Sequence, residues 1–257
     1  MSQWWQYTSV VFFKAWTELR TETAKTYVGV LWWILDPILY MAVFYVVFSQ
    51  WRQRDEGDFI QFLLIALVFF RWFSNSVSNA STSIVQARGL MQQLYLPKIV
   101  FPLVSFVKNC FKFLITFVLL LGFLWVSGMT PTESYLALPG VMLIQIILTL
   151  GVLLLTAAVV PLLPDLKFLI GHVMTALLFL SGTFYSGADL SPEHQRIFYL
   201  NPVACLIESY REILLYQRLP NWDLLWKALI GGSLFLTAGL GLVIGLDRRY
   251  PRIVKAR

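Results

Sequence analysis

Residues 137–163 read ALPGVMLIQIILTLGVLLLTAAVVPLL, a run without a single charged side chain. A helix needs about 20 mostly apolar residues to cross the hydrocarbon core of a bilayer. This run is long enough to do so, and the polar residues within it are neutral. The stretch therefore predicts a transmembrane α-helix and indicates an integral membrane protein.

Five further stretches on either side of this run are long and apolar enough, or nearly so, to span a bilayer. They are Leu31–Ser49, Phe59–Ser83, Phe101–Val126, Phe168–Ser186 and Leu224–Leu246. The whole chain is 58% hydrophobic and 13% charged, whereas soluble domains carry about 25% charged residues. We expect an all-α membrane protein in which residues 1–257 form a single transmembrane domain, with six spans between residues 31 and 246.

The segments outside the spans indicate how the chain is oriented. Residues 1–30 place Trp, Phe and Val at roughly helical spacing among polar side chains, which predicts an amphipathic helix at the cytoplasmic membrane interface. Since Lys and Arg are retained on the cytoplasmic side, and the net charge of +6 includes a basic tail, we expect both termini in the cytoplasm. Topology and anionic lipid explain this charge, so no nucleic-acid partner is expected. The tail, residues 247–257, carries Arg248, Arg249, Arg252, Lys255 and Arg257.

Two connecting loops differ from plain turns. Residues 86–98 read QARGLMQQLYLPK and predict a short cytoplasmic helix that ends before its proline. The loop at about residues 187–223 contains Asn201-Pro202, followed by an amphipathic stretch, Ala204–Leu215. We favour short helices that re-enter the membrane from the extracytoplasmic side, and an ordinary extracytoplasmic loop is the alternative.

Arg71, Lys108 and Lys112 lie inside the predicted spans, where a charge is costly and indicates function by default. Lys108 and Lys112 lie one turn apart near the start of the third span, and we expect them to snorkel to the cytoplasmic surface. Arg71 lies near the middle of the second span. It could line a polar path, pair with an acidic residue elsewhere, or show that the span is out of register.

The sequence lacks the residue patterns of membrane enzymes and ion channels. His172 and His194 have no neighbouring partners for a metal site or a catalytic triad, so neither is expected. No Gly-x-x-x-x-Gly-Lys-Ser/Thr loop is present to bind ATP, and we expect no cofactor in this chain itself. Neither an acidic ring nor a selectivity-filter sequence is visible.

Some aromatic residues of the spans could face an inner surface, where they would stack on the apolar faces of sugar rings. Packing and lipid contact are the alternative for each of them. The candidates for lining a channel are Tyr40, Phe44, Trp72, Phe73, Phe184 and Tyr185.

The order of these parts resembles a known family. Residues 27–37, YVGVLWWILDP, are similar to the family's entry into its first span, and residues 89–102 resemble its coupling segment. Residues 163–166, LPDL, resemble its Arg-Asp-Leu turn. Residues 199–202, YLNP, followed by residues 208–211, ESYR, are similar to its Asn-Pro…Glu-x-x-Arg element. Together these motifs resemble the permease subunit of polysaccharide-exporting ABC transporters, which move lipid-linked O-antigen, teichoic acid or capsule.

This resemblance implies a homodimer of the subunit, with a channel at the dimer interface, in the bacterial inner membrane among its lipids. It also implies two copies of a separate nucleotide-binding ATPase, which would supply ATP and Mg²⁺. The substrate would be a glycan on an undecaprenyl-pyrophosphate-type lipid.

The resemblance also implies roles for individual residues. Docking on the ATPase would involve Arg88, Gly89, Leu90, Gln92, Gln93 and Tyr95. The cations placed to meet the lipid headgroup at a cytoplasmic gate are Arg20, Lys25 and Arg88, with ordinary positive-inside charge as the alternative. The extracytoplasmic re-entrant element would contain Asn201, Pro202, Glu208 and Arg211.

Two departures from the family pattern concern the end of the fifth span and the turn before it. Residues 181–185 are Ser-Gly-Thr-Phe-Tyr where the family often has Ser-Pro-Ile-Phe-Tyr, and Pro164 stands where an Arg usually precedes Asp165. An ABC exporter of drugs or small lipids is one rival function. A membrane enzyme acting on lipid-linked sugars is another, against which the lack of clustered acids and histidines argues.

Overall fold

Eleven α-helices form the computed structural model, which describes residues 3–25, 27, 29–49, 58–93, 96–250 and 253. Short 3-10 turns at Gly29–Leu31, Glu133–Ala137 and Gly187–Asp189 connect some of them. In chain order the helices are α1 Gln3–Ala24, α2 Trp32–Ser49, α3 Phe59–Ser81, α4 Ser83–Gln86, α5 Arg88–Gln93, α6 Val100–Val126, α7 Leu138–Val159, α8 Leu166–Leu180, α9 Pro192–Phe198, α10 Pro202–Leu214 and α11 Trp222–Leu246.

Four helical stretches in the described part of the chain are long and apolar enough to cross a membrane. These are Phe59–Ser81, Val100–Val126, Glu133–Val159 and Trp222–Leu246, and they agree with four predicted spans to within a few residues. α2 covers the predicted first span with 18 residues. The chain is therefore an all-helical, multi-pass membrane protein, and the count of six spans stays a prediction.

The predicted fifth span differs most from the structure. α8 has 15 residues, so it is about 22 Å long, whereas the hydrocarbon core is about 30 Å thick. The prediction that this helix reaches Ser186 is wrong. The chain leaves the helix after Leu180, and Gly182 then takes a φ of +70°, which glycine adopts without steric cost.

α7 and α11 pack closely because glycines line their contact. A Cβ added to Gly151 would lie 2.5 Å from the backbone nitrogen of Leu236, and one added to Gly232 would lie 3.0 Å from the Leu148 backbone. Transmembrane helices gain little from burying apolar surface against each other, so small residues that allow close backbone approach stabilise their pairing. A larger side chain at either glycine would push the two helices apart.

α3 lies at the centre of the bundle, where it contacts α6, α7 and α10. Its aromatic side chains stack on both sides. The Phe69 ring lies on Tyr210 of α10 with 3.4 Å between centroids, and the Trp72 ring lies 4.1 Å from that of Phe113 on α6. Such stacking adds to the hydrophobic contribution of burying the rings. α3 therefore positions both the polar residues of α6 and the short helix α10.

Residues near both chain termini lie at one end of the bundle, which we call the tail end. Tyr250 is buried there, and its hydroxyl donates to the Ala158 carbonyl at 3.1 Å. The backbone N–H of Lys98 donates to the Asp247 carboxylate at 2.7 Å. α1 packs its apolar side beside Val100, at the start of α6. The first residues of the predicted basic tail therefore belong to the packed bundle.

Candidate functional site

A polar cleft lies between α1, α2, α3 and α6. It consists of two adjoining cavities of about 440 Å³ and 420 Å³, which share Asn79, Asn109 and Lys112 in their walls. Polar groups in an apolar bundle are tolerated where they are hydrogen-bonded or meet water. Other polar residues that line the first cavity are Asp36, Arg71, Asn75 and Thr116, and those of the second are Glu18, Thr21, Glu22, Lys25, Thr82, Gln86, Ser105 and Lys108.

Arg71 and Asp36 form an ion pair in the first cavity. The Nη2 atom of Arg71 lies 3.3 Å from Oδ2 of Asp36 on α2, and both side chains are partly exposed. Arg71 pairs with an acidic residue elsewhere in the chain and also lines a polar space. The first two interpretations of Arg71 therefore both agree with the structure. α3 begins at the predicted residue, and the register of this helix in a bilayer stays a prediction.

Tryptophans form one wall of the first cavity. Trp32 and Trp33 come from α2, and Trp72 from α3. The Nζ atom of Lys112 lies 5.9 Å from the Trp33 ring centroid, within the range of a cation–π contact. Ligand sites typically combine such aromatic surface with a few polar groups that fix orientation.

α1 and α6 run side by side in the same direction, and apolar contacts join the middle of α1 to the first two turns of α6. Val11 and Ala15 of α1 pack against Val100 and Val104 of α6. Farther along both helices, polar contacts replace the apolar ones. Residues 1–30 are thus helical over most of their length, as expected, and the position of α1 in the membrane interface stays a prediction.

Glu18 and Glu22 of α1 pair with Lys108 and Lys112 of α6. Lys108 Nζ lies 3.0 Å from Glu18 and 4.0 Å from Glu22, and Glu22 also bonds Lys112. The amines of both lysines meet carboxylates in the cleft, and the expectation that they snorkel to the cytoplasmic surface stays a prediction. Burial raises the pKa of Glu18, but hydrogen bonds and charge from Lys108 and Lys14 outweigh it, so the pKa lies below its ordinary 4.5.

Two amides link α3 and α6 where the cavities adjoin. Asn79 Nδ2 donates to Asn109 Oδ1 at 3.2 Å, and Asn109 Nδ2 donates to the Ser105 carbonyl at 2.8 Å. These bonds hold the amides in place between the Arg71 pair and the lysines. The cleft can therefore offer neutral hydrogen-bonding groups and ammonium groups to a polar ligand.

The cations predicted to meet a lipid headgroup lie in different surroundings. Lys25 lines the second cavity. Arg20 lies on the exposed side of α1, with its guanidinium 5.4 Å from the Trp16 ring centroid. Arg88 is exposed on α5. Since Arg20 and Arg88 are not among the described residues that line the cleft, the structure does not bring the three together there, and their role stays a prediction.

The predicted ATPase-coupling segment forms α5 at the tail end. Leu90 packs toward the buried Ile84, Phe101 and Tyr250, which anchors the short helix. Tyr95 lies outside the described residues. The exposed residues of α5 are Arg88, Gly89, Gln92 and Gln93.

α10 begins at the Asn201-Pro202 pair, two residues before the predicted amphipathic stretch Ala204–Leu215. The Asn201 side chain accepts from the Val203 N–H at 3.0 Å, as an N-cap residue should, and Pro202 occupies the first helical position. Asn201 Nδ2 also donates to Ser181 Oγ at 2.8 Å, just beyond α8. The cap therefore joins the start of α10 to the end of the short helix α8.

α10 lies beside the first two-thirds of α3. Val203, in its first turn, lines a small space with Phe73, whereas Arg211 near its end reaches the Phe62 carbonyl. Phe73 is 14 residues into α3, about 21 Å from its start. The chain therefore reaches a point beside Phe73 at the start of α10, and α10 then runs back toward the start of α3. This course agrees with the favoured re-entrant interpretation. Re-entry into a bilayer stays a prediction.

Arg211 and Glu208 form the centre of a buried network at this element. The Arg211 guanidinium is fully buried and donates to the carbonyls of Gly182 and Thr183 at 2.8 and 3.0 Å. Glu208 lies 3.5 Å from Arg211 and accepts from the Gly187 N–H at 3.0 Å. The network fixes the non-helical segment after α8, where the chain has free carbonyl groups that need donors.

The four predicted channel-lining aromatics whose side chains are described do not share one surface in the structure. Trp72 lines the first cavity, whereas Phe73 is buried in the core. Phe184 stacks on Phe179 at 5.4 Å, and Tyr185 packs on Phe198 at 5.7 Å. The side chains of Tyr40 and Phe44 lie outside the described ones. A channel-lining role stays a prediction.

Sequence reasoning missed several residues of the cleft. Asp36 lies within residues 27–37 but has no pattern of its own that indicates a cleft, and neither do Asn79 and Asn109. Glu18 and Glu22 carried a usable signal, because their spacing of four matches that of Lys108 and Lys112 and both pairs face one side of a helix. Only the packing of α1 on α6 shows that the two pairs meet.

The helices from α1 to α10 lie in a region of the chain that is similar to known proteins. Residues 10–215, from α1 to the end of α10, match the family model described as ABC-2 type transporter. The chain is 28% identical to the O-antigen export system permease protein RfbA of Myxococcus xanthus over 84% of each chain. A protein of the same name from Klebsiella pneumoniae is 24% identical over 92% of each chain. The polysialic acid transport protein KpsM of Escherichia coli is 25% identical, over 76% of this chain and 77% of its own.

Proposed function

Because the chain belongs to the ABC-2 type transporter family, we propose that it is the permease subunit of an ATP-driven exporter of lipid-linked polysaccharide. The observation that carries the proposal is the long similarity to permease and transport proteins named for O-antigen and polysialic acid. The polar, tryptophan-walled cleft supports it, because sugars and phosphates need hydrogen-bonding groups within an otherwise apolar bundle.

ATP hydrolysis would come from a separate subunit, since this sequence contains no Gly-x-x-x-x-Gly-Lys-Ser/Thr loop. Two copies of that ATPase would supply ATP and Mg²⁺ and would dock at α5. α5 supports this role because it exposes Arg88, Gln92 and Gln93 while Leu90 anchors it on the bundle. A pull on α5 would reach the spans that Leu90 contacts and move them as rigid bodies.

The tail end would face the cytoplasm of a bacterium, with the protein in the inner membrane. Val11 and Ala15 of α1 pack at this end, as does Tyr250 after α11, which supports placing both termini on one side. The tail carries Arg248 and Arg249 there, in agreement with retention of positive charge on the cytoplasmic side. α10 would then lie in the extracytoplasmic half of the membrane.

A second copy of the chain would complete the channel. Of the fifteen residues of α8, Met174 alone is buried, and the helix exposes large apolar side chains such as Phe168 and Leu180. Such a helix needs lipid or another protein surface beside it. Pairing of two subunits across this region would place the channel between them, with the substrate's glycan advancing by repeated weak contacts with aromatic residues.

Deletion of the coding sequence in its bacterial host tests the proposal. We expect loss of surface polysaccharide and accumulation of lipid-linked glycan inside the cell, with recovery when the chain is supplied again. Unchanged surface polysaccharide would contradict the proposal. Altered drug resistance or phospholipid distribution would instead favour the rival exporter, and turnover of a lipid-linked sugar by the purified chain without ATP would favour an enzyme.

Cysteine crosslinking tests docking on the ATPase. Gln92→Cys at the exposed side of α5 should crosslink to a cysteine on the ATPase, and Gln93→Cys offers a second attempt one residue along. Gln217→Cys is the matched control, because Gln217 follows α10 at the other end of the bundle. Equal crosslinking from Gln217, or none from either position of α5, would contradict the coupling role.

A further inference from the structure

We propose that Lys108 and Lys112 bind the phosphate groups of a membrane lipid, and that Glu18 and Glu22 occupy this site until the lipid displaces them. The inference rests on the proposed function, because it names how the permease would hold the phosphorylated end of a lipid-linked substrate. The chemistry it requires is a phosphate or pyrophosphate ester carried on a hydrocarbon chain.

The two lysines are placed to contact one anion together. They lie one turn apart on α6, and both amines meet the same Glu22 carboxylate. Two ammonium groups that reach one carboxylate can also reach one pyrophosphate, which offers more oxygens and more negative charge. Hydrogen bonds between charged partners are shorter and roughly twice as strong as neutral ones. The geometry therefore favours a compact, multiply charged ligand.

The surroundings of the lysines supply further groups that can bind phosphate oxygens. The second cavity, about 420 Å³, also contains Lys25, Thr82 and Gln86, with Asn79 and Asn109 at its junction with the first. A cavity of this size has room for a phosphate group and part of what is attached to it. The tryptophan wall of the first cavity lies directly beyond the junction, where a sugar attached to the phosphate could stack.

The carboxylates of α1 resemble the proposed ligand in charge and in their oxygen atoms. Glu18 and Glu22 neutralise the lysines, which lowers the cost of two ammonium groups on an apolar helix. Their side chains are 37% and 45% exposed, so water reaches these pairs and they are weaker than buried ones. A more highly charged ligand can therefore replace them.

α1 can release the carboxylates without leaving the bundle. Its contact with α6 is apolar near Val11 and Ala15 and ionic near Glu18 and Glu22. Displacing the glutamates breaks the ionic contact and leaves the apolar one in place. Lipid binding would then loosen one end of α1, which gives the ligand a way to change the position of this helix.

Lipid binding to the full-length chain tests the inference through two variants with opposite effects. The chain, in complex with its ATPase in phosphatidylcholine nanodiscs, is titrated with undecaprenyl pyrophosphate, and bound lipid is counted by native mass spectrometry. Lys108→Gln/Lys112→Gln should weaken binding by at least about tenfold, because two charge-assisted contacts are lost. Glu18→Gln/Glu22→Gln should tighten binding by about threefold to tenfold, because the competing carboxylates lose their charge.

Matched controls change charge elsewhere. Lys167→Gln and Glu133→Gln lie outside the residues that line the cleft and should alter affinity less than twofold. A purely structural role for the ion pairs predicts that the glutamate variant binds no more tightly than wild type. That result, or unchanged binding by the lysine variant, would overturn the inference.

Titration with phosphatidylglycerol separates two sources of the same chemistry. Lysine-dependent binding of undecaprenyl pyrophosphate alone supports a site for the export substrate. Lysine-dependent binding of both lipids supports a phosphate site that bulk membrane lipid also fills. If neither lipid shows binding that depends on the lysines, the inference is wrong.

The export assay distinguishes failure of this inference from failure of the proposed function. If deletion of the chain abolishes surface polysaccharide but the lysine variant binds lipid normally, the phosphate site is refuted and the function stands. If binding depends on the lysines but deletion leaves surface polysaccharide intact, the phosphate site stands and the proposed function is refuted.

Discussion

Replacing Arg211 with methionine should strongly destabilise the protein, because this side chain joins three segments of the chain. Its buried guanidinium donates to the carbonyls of Phe62, Gly182 and Thr183 at 3.2, 2.8 and 3.0 Å. Methionine fills much of the same space but donates no hydrogen bond. The variant would leave these carbonyls, and the carboxylate of Glu208, buried with fewer partners.

The expected magnitude follows from the cost of breaking a buried ion pair from one side. Removing one partner costs about 3–5 kcal/mol, because the remaining charge stays buried without compensation. Glu208 keeps a hydrogen bond from the Gly187 N–H at 3.0 Å, so we expect the lower part of this range. A loss of about 3–4 kcal/mol corresponds to a fall in Tm of about 6–16 °C for a protein of this size.

Arg218→Met is the matched control for this prediction. Arg218 pairs with Glu212 near the end of α10, but its side chain is 65% exposed. Exposed pairs contribute about 0.2–1 kcal/mol, so the Tm should fall by at most about 4 °C. Differential scanning fluorimetry of both variants in the same detergent measures the difference. Equal shifts would refute the reasoning, and the double variant Glu208→Gln/Arg211→Met should recover part of the loss because it removes the stranded charge.

Three other measurements examine the packing of the bundle and its ion pairs. Gly232→Leu should separate α7 from α11 and reduce the yield of folded protein in size-exclusion chromatography, whereas Gly241→Leu, which has open space around it, should behave as wild type. Tyr250→Phe should cost about 1 kcal/mol, because the buried Ala158 carbonyl loses its donor, and an unchanged Tm would contradict the packed tail end. Because the pKa of Glu18 is lowered in the folded protein, its carboxylate should make its full contribution to the free energy of unfolding above pH 4.5. That contribution should be lost as the pH falls through the folded pKa. The Tm difference between wild type and Glu18→Gln should therefore stay constant from pH 7 to 5, and a decline already at pH 6 would contradict the lowered pKa.

The positions of the long helices could be predicted because the signal for a membrane span is local. A run of apolar residues such as 137–163 has to be helical in a bilayer, since no water is present there to satisfy its backbone groups. The sequence signal at the start of α10 is equally local. Asn201 caps the helix and Pro202 fits its first position, so α10 begins two residues before the predicted amphipathic stretch Ala204–Leu215.

The end of α8 depended on contacts that the sequence does not contain as a pattern. Uncharged residues continue from Leu180 to Ser186 and include Phe184 and Tyr185, so hydropathy alone extends the helix. Instead, Gly182 turns the chain, and Arg211 from α10 binds the carbonyls that follow. The donor lies 29 residues beyond Gly182 along the chain, and only the packed structure brings it there.

The polar cleft shows the same division between local and long-range information. The sequence by itself determined that Arg71, Lys108 and Lys112 lie within apolar helices and need compensation for their charge. Only the tertiary structure decided which residues compensate them, because Asp36 is 35 residues from Arg71, and Glu18 is 90 residues from Lys108. Helical spacing fixes which side chains share a face of one helix, but the choice of partner depends on which helices pack together and on the charges that this packing brings within hydrogen-bonding distance.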